Sequence, residues 1–268
     1  MCSPNDFTVA VVDGALFDYD IDELINAGGQ GAVFRARHAQ HGECVVKVYT
    51  PDSTARAGAE IEFLSDVRHP SIIRIIDNGT MPMDESVCPF VVMPYLSGGS
   101  LRGRVRQRDY LSEAEATSIL LCVVGAIECL WEARKVHRDI KPDNLLFDAA
   151  DNPVLIDFGV VRHLDLKTMT ITGNAPGTWG YKSPEQSRGA RNLTYKSDIF
   201  SLGITLYEAV AGQHPYDRRQ DLVDVDAPVA GLSTLCDCSP GFCSAIQAML
   251  NHRAIMRPTC EALRARVA

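Results

Sequence analysis

The sequence has no long apolar run. The longest, Ile119 to Ile127, stops at Glu128 and is about half a membrane span, so no transmembrane helix is expected. The opening residues, MCSPNDFTVA, lack a basic segment leading into an apolar core, and no secretory signal is expected. Position 2 is Cys2, where N-myristoylation requires glycine. Basic charge is also short: 26 Lys and Arg stand against 34 Asp and Glu, a net charge of -8. A general nucleic-acid binder usually carries the opposite sign, so neither nucleic acid nor membrane is expected as a partner. A small phosphate ligand, held by local groups, is not excluded. There is no internal repeat and no low-complexity segment.

What is present suits a soluble, globular chain. Of 268 residues, 46% are apolar, enough to bury most of what the unfolded chain exposes. Charged residues make up 22%, which argues against wholesale disorder. The length fits one large domain or two lobes. Nine cysteines, an odd number, run from Cys2 to Cys260. Without a signal they read as reduced thiols, and the expected location is cytoplasmic. Cys236, Cys238 and Cys243, with His252 beyond, have zinc-ligand side chains. Their spacing matches no common zinc module, and they read as ordinary cysteines.

The pattern changes once along the chain. The first twenty residues form an N-terminal extension with scattered apolar positions. Residues 21–50 read as strand, glycine turn, strand, loop, strand, from the alternation at 33–37 and the run at 44–49. A helix is expected from about Ser53 to Val67, then strands at 72–77 and 89–93. Leu96-Ser97-Gly98-Gly99-Ser100 reads as a linker. A long helix follows over 112–134, with Ser112 as N-cap and Glu115 three positions on. Short strands come near 145–147 and 154–156, a long loop at 162–183, and helices after it. The alternating Arg102, Arg104, Arg106 and Arg108 read as a solvated rim, with contact to an acidic substrate or partner as the alternative. The fold class is therefore α+β: a small β-rich lobe, about 21–95, before a larger, mainly helical lobe, about 96–265.

Two sequence elements carry the chemistry. One is His137-Arg138-Asp139-Ile140-Lys141-Pro142-Asp143-Asn144; the other, thirteen residues on, is Asp157-Phe158-Gly159. Eight specified positions agree by chance on the order of 10⁻¹¹ per start point at average residue usage. With them the chain resembles the eukaryotic-type (Hanks-type) serine/threonine protein kinases over about residues 21 to 265. The segment Ser183-Pro184-Glu185-Gln186-Ser187-Arg188-Gly189 is most similar to bacterial members.

The resemblance implies a bilobal kinase fold that binds ATP with Mg²⁺ (Mn²⁺ the alternative) and phosphorylates a protein substrate. Asp139 would orient or deprotonate the substrate hydroxyl, with Lys141 near the γ-phosphate. Asn144 and Asp157 would be the metal ligands. Thr178 would bridge toward Asp139 and Lys141. Gly28, Gly29 and Gly31 would cover the phosphates, with Asn26 in place of the family's first glycine, tolerant of unusual backbone angles. Lys47 would touch the α- and β-phosphates and pair with Glu60, Glu62 being the alternative. Val33, Val45 and Leu146 would enclose the adenine. Met93 would be the gatekeeper, and Pro94 and Leu96 would present the hinge carbonyl and N–H. Glu185 would pair with Arg257, and Asp198 would brace the catalytic loop. Thr170 and Thr172 would be autophosphorylated, with Arg138, Arg162 and Arg56 as the phosphate receptor. The alternative is a catalytically weak kinase-like scaffold. Oligomeric state is not readable from the sequence.

Overall fold

The computed structural model describes residues 3–83, 86–108, 110–158, 162–163 (backbone only), 178–190 and 192–267. The chain divides into two units. One takes the residues up to Arg68 with Ile73–Leu96; the other takes His69–Ile72 and the residues from Ser97 on.

The first unit opens with a 3-10 turn at Pro4–Asp6 and helix α1 (Val9–Ala15), whose N-cap Thr8 accepts from the Val11 N–H. Strands β1 (Tyr19–Gly28), β2 (Gly31–His38) and β3 (Gly42–Tyr49) follow, then helix α2 (Thr54–Ser65), β4 (Asp77–Met83) and β5 (Ser86–Pro94). The strands form an antiparallel sheet in the order β1-β2-β3-β5-β4. Period-two alternation sorts its faces. Ala32, Phe34, Ala36, Cys44, Val46 and Val48 point into one core, while Val33, Arg35, Val45 and Lys47 take the other face, half-buried. Phe7, Val12 and Leu16 pack into that same core, so the N-terminal extension is part of the unit. The strand expected at 72–77 is displaced. Ile72 makes only a single bridge to Leu155, and β4 begins at Asp77, where register with β5 starts. Ile72 and Ile73 are buried by packing instead of by strand pairing.

The second unit begins with α3 (Leu101–Arg108) and α4 (Glu113–Glu132). Ser112 and Glu115 close the expected capping box on α4. By length and mean hydropathy (1.6) α4 would also pass as a membrane span, which the sequence reading did not anticipate. Its face of Ile119, Leu120, Val123, Val124 and Ile127 is buried within the unit. Short strands β6 (Lys135–Val136), β7 (Leu145–Phe147), β8 (Pro153–Leu155) and β9 (Arg162–His163) pair as β6–β9 and β7–β8. Then come α5 (Pro184–Ser187), α6 (Tyr195–Ala211), α7 (Gln220–Asp224), α8 (Pro240–Met249) and α9 (Cys260–Val267). Helix α6 is buried from Ser197 to Val210. At Gly203 a Cβ would lie 2.8 Å from that of Met249, so glycine is what lets α6 and α8 approach.

The arginine stretch at 102–108 is helical, and residues two apart on a helix do not share a face. The rim expected there is corrected for two of the four. Arg102 is buried, and Arg104 lies over the Phe147 ring, 3.4 Å from its centroid, and bonds the Gly98 carbonyl.

Candidate active site

In the first unit the β1–β2 hairpin carries the glycine turn, with Gly28 opposite Gly31. Gly31 has φ +152, and a Cβ there would fall 1.9 Å from the Val48 carbonyl oxygen, so no other residue fits. Around Gly28 and Gly29 nothing lies within 4 Å of a built Cβ, so the turn leaves its backbone open to a ligand. Asn26 does not play the part expected of it. It pairs with Val33 inside the ladder and is not among the positive-φ residues, so its tolerance of unusual angles is not used.

Register gathers the nucleotide-facing candidates. Val33 lies opposite Lys47, and Val45 lies opposite Met93. Pro94 closes β5 opposite Cys44; beyond it the Tyr95 N–H donates to the Glu43 carbonyl at 3.3 Å. Pro94 costs the ladder little at a strand end. Leu96 ends the unit. Lys47 Nζ reaches Glu60 Oε2 at 2.8 Å; Glu62, the alternative partner, is exposed on α2. The Tyr49 hydroxyl also donates to Glu60 Oε2. Sequence reasoning missed Tyr49, although its spacing of two from Lys47 in a strand places both on one face.

In the second unit the catalytic loop is fastened from below. Asp198, buried on α6, accepts the N–H groups of His137 and Arg138, each at 2.8 Å. Burial pushes the Asp198 carboxyl upward despite those bonds and the neighbouring cations. Arg138 takes φ 72, and its carbonyl accepts from Gln186 Nε2 at 2.7 Å.

Asp139 is the meeting point. Its Oδ1 accepts from the Thr178 N–H at 2.8 Å; its Oδ2 accepts from Lys141 Nζ and Asn144 Nδ2, both at 2.9 Å. Lys141 also donates to Thr178 Oγ1. Burial alone would raise the Asp139 carboxyl. The Lys141 charge and the bonds from Lys141 and Thr178 outweigh it and hold the group below the usual carboxylate range. The result is an ionised acceptor at neutral pH, already aimed and already hydrogen-bonded.

Asn144 ends the 3-10 turn Pro142–Asn144. Its Nδ2 is committed to the carboxylate and carbonyl of Asp139, which leaves its side-chain oxygen for a cation. The Ile156 N–H donates to the Asn144 carbonyl at 3.0 Å, which brings Asp157, φ 63, next in chain to the same place. Two hard oxygen donors, one anionic, fit Mg²⁺, which keeps several waters and takes few protein ligands. Leu146 lies one residue past the start of β7, half-buried and opposite Val154.

The segment around Glu185 is anchored separately. Arg257 and Glu185 form a two-pronged pair at 2.6 and 2.8 Å. Burial would raise the Glu185 carboxyl, and Arg257 overrides it. A second cluster was not foreseen. Arg102 donates to Asp143 at 3.2 Å, to Glu208 at 2.6 Å and to the Tyr181 hydroxyl, tying the catalytic loop to α6 and to the segment around Tyr181. Only a helical reading of 101–108 could have singled Arg102 out from its neighbours.

Of the regulatory candidates, Thr170 and Thr172 lie outside the described residues, as does the Arg162 side chain. Arg138 is buried, and Arg56 is half-buried on α2, one turn before Glu60. Cys236 and Cys243 donate to the carbonyls of Leu232 and Cys238, and His252 meets Arg188 at 3.1 Å. Among the described residues no group of three or more His, Cys, Asp and Glu side chains forms a metal cluster.

The family model described as "Protein kinase domain" matches residues 19–266, and the chain belongs to that family. It is 34% identical over 208 residues to a probable serine/threonine-protein kinase of Corynebacterium efficiens, covering 74% of this chain and 31% of that protein. It is 35% identical over 206 residues to the serine/threonine-protein kinase PrkC of Bacillus subtilis, covering 74% and 31%. For the serine/threonine-protein kinase PknB of Mycobacterium leprae the figures are 31% over 206 residues, covering 74% and 33%. The matched stretch thus spans about a third of the length of these relatives.

Proposed function

We propose that the chain is an ATP-dependent serine/threonine protein kinase that transfers the γ-phosphoryl group to protein hydroxyls. The observation that carries this reading is the convergence of Lys141, Asn144 and Thr178 on the Asp139 carboxylate. Phosphoryl transfer asks little covalent chemistry of the protein; it asks for an aligned hydroxyl and neutralised charge. Asp139 accepts the hydroxyl proton as the oxygen attacks the γ-phosphorus and the bond from that phosphorus to the β–γ bridging oxygen breaks, releasing ADP. Lys141, bonded to both Asp139 and Thr178, adds positive charge beside the transferred group. Asn144 and Asp157 hold Mg²⁺, which when bound neutralises phosphate charge. Lys47, kept in place by Glu60, binds phosphate oxygens, and Gly31 permits the close backbone turn that covers them.

Activation is by autophosphorylation at Thr170 or Thr172, with Arg138, Arg162 and Arg56 as receptor. A phosphothreonine brings about −2 charge and three acceptor oxygens. The protein works in the cytoplasm on protein substrates.

The test is incubation of purified chain with labelled ATP–Mg²⁺, alone and with a generic basic protein. Label on both, at Thr170 or Thr172 in the chain, and its loss in Asp139→Asn is the expected result. Nucleotide binding without transfer would instead favour the scaffold. An active preparation unmodified at both threonines, or full activity in the Thr170→Ala/Thr172→Ala variant, would remove the activation step alone.

A further inference from the structure

A buried carboxylate is costly unless its oxygens are met by donors. Glu60 is only 1% exposed. Its Oε1 has no hydrogen-bond partner among the described residues, so its two donors converge on Oε2. One is Lys47 Nζ at 2.8 Å; the other is the Tyr49 hydroxyl. We propose that Tyr49 is a positioning residue for nucleotide binding: its phenol holds the Glu60 carboxylate on Lys47 whether or not nucleotide is present. This rests on the assignment of Lys47 to the phosphates.

The placement follows from the strand. Lys47 and Tyr49 are two apart in β3 and share a face, while Val48 between them points into the opposite core. Tyr49 is fully buried against Ala57 and Val91, with Ile61, Ile75 and Met93 around them. Its ring also lies under Lys47, with Nζ 4.8 Å from the centroid. One side chain thus touches both members of the ion pair and the helix that carries one of them.

The two donors differ in what else they can do. The Lys47 side chain is 16% exposed and charged, and can turn part of its charge to a phosphate. Tyr49 is fully buried, out of reach of a phosphate. When phosphate draws on Lys47, the phenol keeps Glu60 supplied with a donor and keeps α2 at the same rotation. Without it the carboxylate pulls Lys47 back from the phosphates, and lysine and nucleotide meet less often.

Tyr49→Phe removes the hydroxyl and keeps the ring. The readout is the dissociation constant for ATP–Mg²⁺, titrated against the whole chain in five forms: wild type, Tyr49→Phe, Glu60→Gln, the double variant of those two, and Lys47→Met. Tyr49→Phe should bind roughly ten-fold more weakly than wild type, the loss expected for one hydrogen bond to a charged group. On the Glu60→Gln background the same change should cost less than about two-fold, because the phenol then has no carboxylate to hold. Equal weakening on both backgrounds would show a packing role and overturn the proposal. Wild-type binding by Tyr49→Phe, with binding lost in Lys47→Met, would overturn it and leave the nucleotide assignment standing. Unaltered binding in Lys47→Met would overturn both.

Discussion

Two buried ion pairs in this chain are built on opposite plans. Arg257 spends every guanidinium nitrogen. Its two-pronged grip on Glu185 is joined by bonds to the carbonyls of Lys196 at 2.7 Å, His252 at 3.1 Å and Asn251 at 2.8 Å. Its side chain is 0% exposed. Lys47 and Glu60 meet through a single carboxylate oxygen; the second has no hydrogen-bond partner among the described residues, and the lysine side chain is 16% exposed. The first arrangement is closed and suits a structural clamp. The second is one-pronged and partly open, which suits the phosphate contact proposed for Lys47. Two-pronged against one-pronged geometry, more than burial, separates the two pairs.

The comparison can be broken in several places. The largest effect belongs to neither pair. Asp157→Ala removes the carboxylate proposed to hold the metal and should lower phosphoryl transfer by about 10³-fold or more, the scale of losing several kcal/mol of transition-state stabilisation. A steady-state assay that retains more than about a tenth of wild-type turnover would show the metal site to be elsewhere. Next, Arg257→Ala leaves Glu185 half-buried without its cation and should cost about 3–5 kcal/mol of stability. Chemical denaturation measures this, and a loss below about 1 kcal/mol would mean the clamp is not structural.

A third cluster sharpens the contrast through pH. His214 is buried beside Tyr181; its Nδ1 accepts from the N–H groups of Tyr216 and Arg218, both at 3.0 Å. Burial lowers its pKa to about 4, against 6.5 in an unfolded chain. The unfolded state therefore binds the extra proton first as pH falls. His214 contributes stability that is full above about pH 6.5 and is lost progressively toward pH 4, roughly 2–3 kcal/mol in all. His214→Gln should flatten that part of the stability profile between pH 7 and pH 5. Carboxylates held low by their partners, Asp139, Glu185 and Glu208, add a separate loss only below about pH 4. An unchanged slope between pH 7 and pH 5 in the variant would place the proton elsewhere.

Much of this was legible from residue order. The catalytic loop, the Lys47–Glu60 and Glu185–Arg257 pairs and the bracing by Asp198 are all implied by the kinase resemblance that the motifs carry, and the structure brings those groups together. The α4 boundary was readable because Ser112 and Glu115 form a capping box, a signal only four residues long. What escaped depends on neighbours distant in sequence. Arg102 meets Glu208 across 106 positions, and no local pattern announces that. The strand expected at 72–77 failed because apolar, β-branched residues are equally at home packed in an irregular segment. Asn26 was credited with a backbone angle that the hairpin demands only of Gly31. The scattered apolar positions of the N-terminal extension announce no element, because Phe7, Val12 and Leu16 show their role only once folded against the sheet.

The most direct test of the contrast between the two pairs is thermal unfolding with and without ATP–Mg²⁺, run on wild type, Lys47→Met and Glu185→Gln. A ligand at 100 times its Kd stabilises by about 2.7 kcal/mol, so wild type should unfold several degrees higher with nucleotide. Lys47→Met should unfold near wild type without nucleotide and lose the upward shift. Glu185→Gln should unfold about 5 °C lower and keep the shift, as expected for roughly 2 kcal/mol lost from a clamp that never touches nucleotide. A full shift in Lys47→Met, or a lost shift with unaltered stability in Glu185→Gln, would contradict the account.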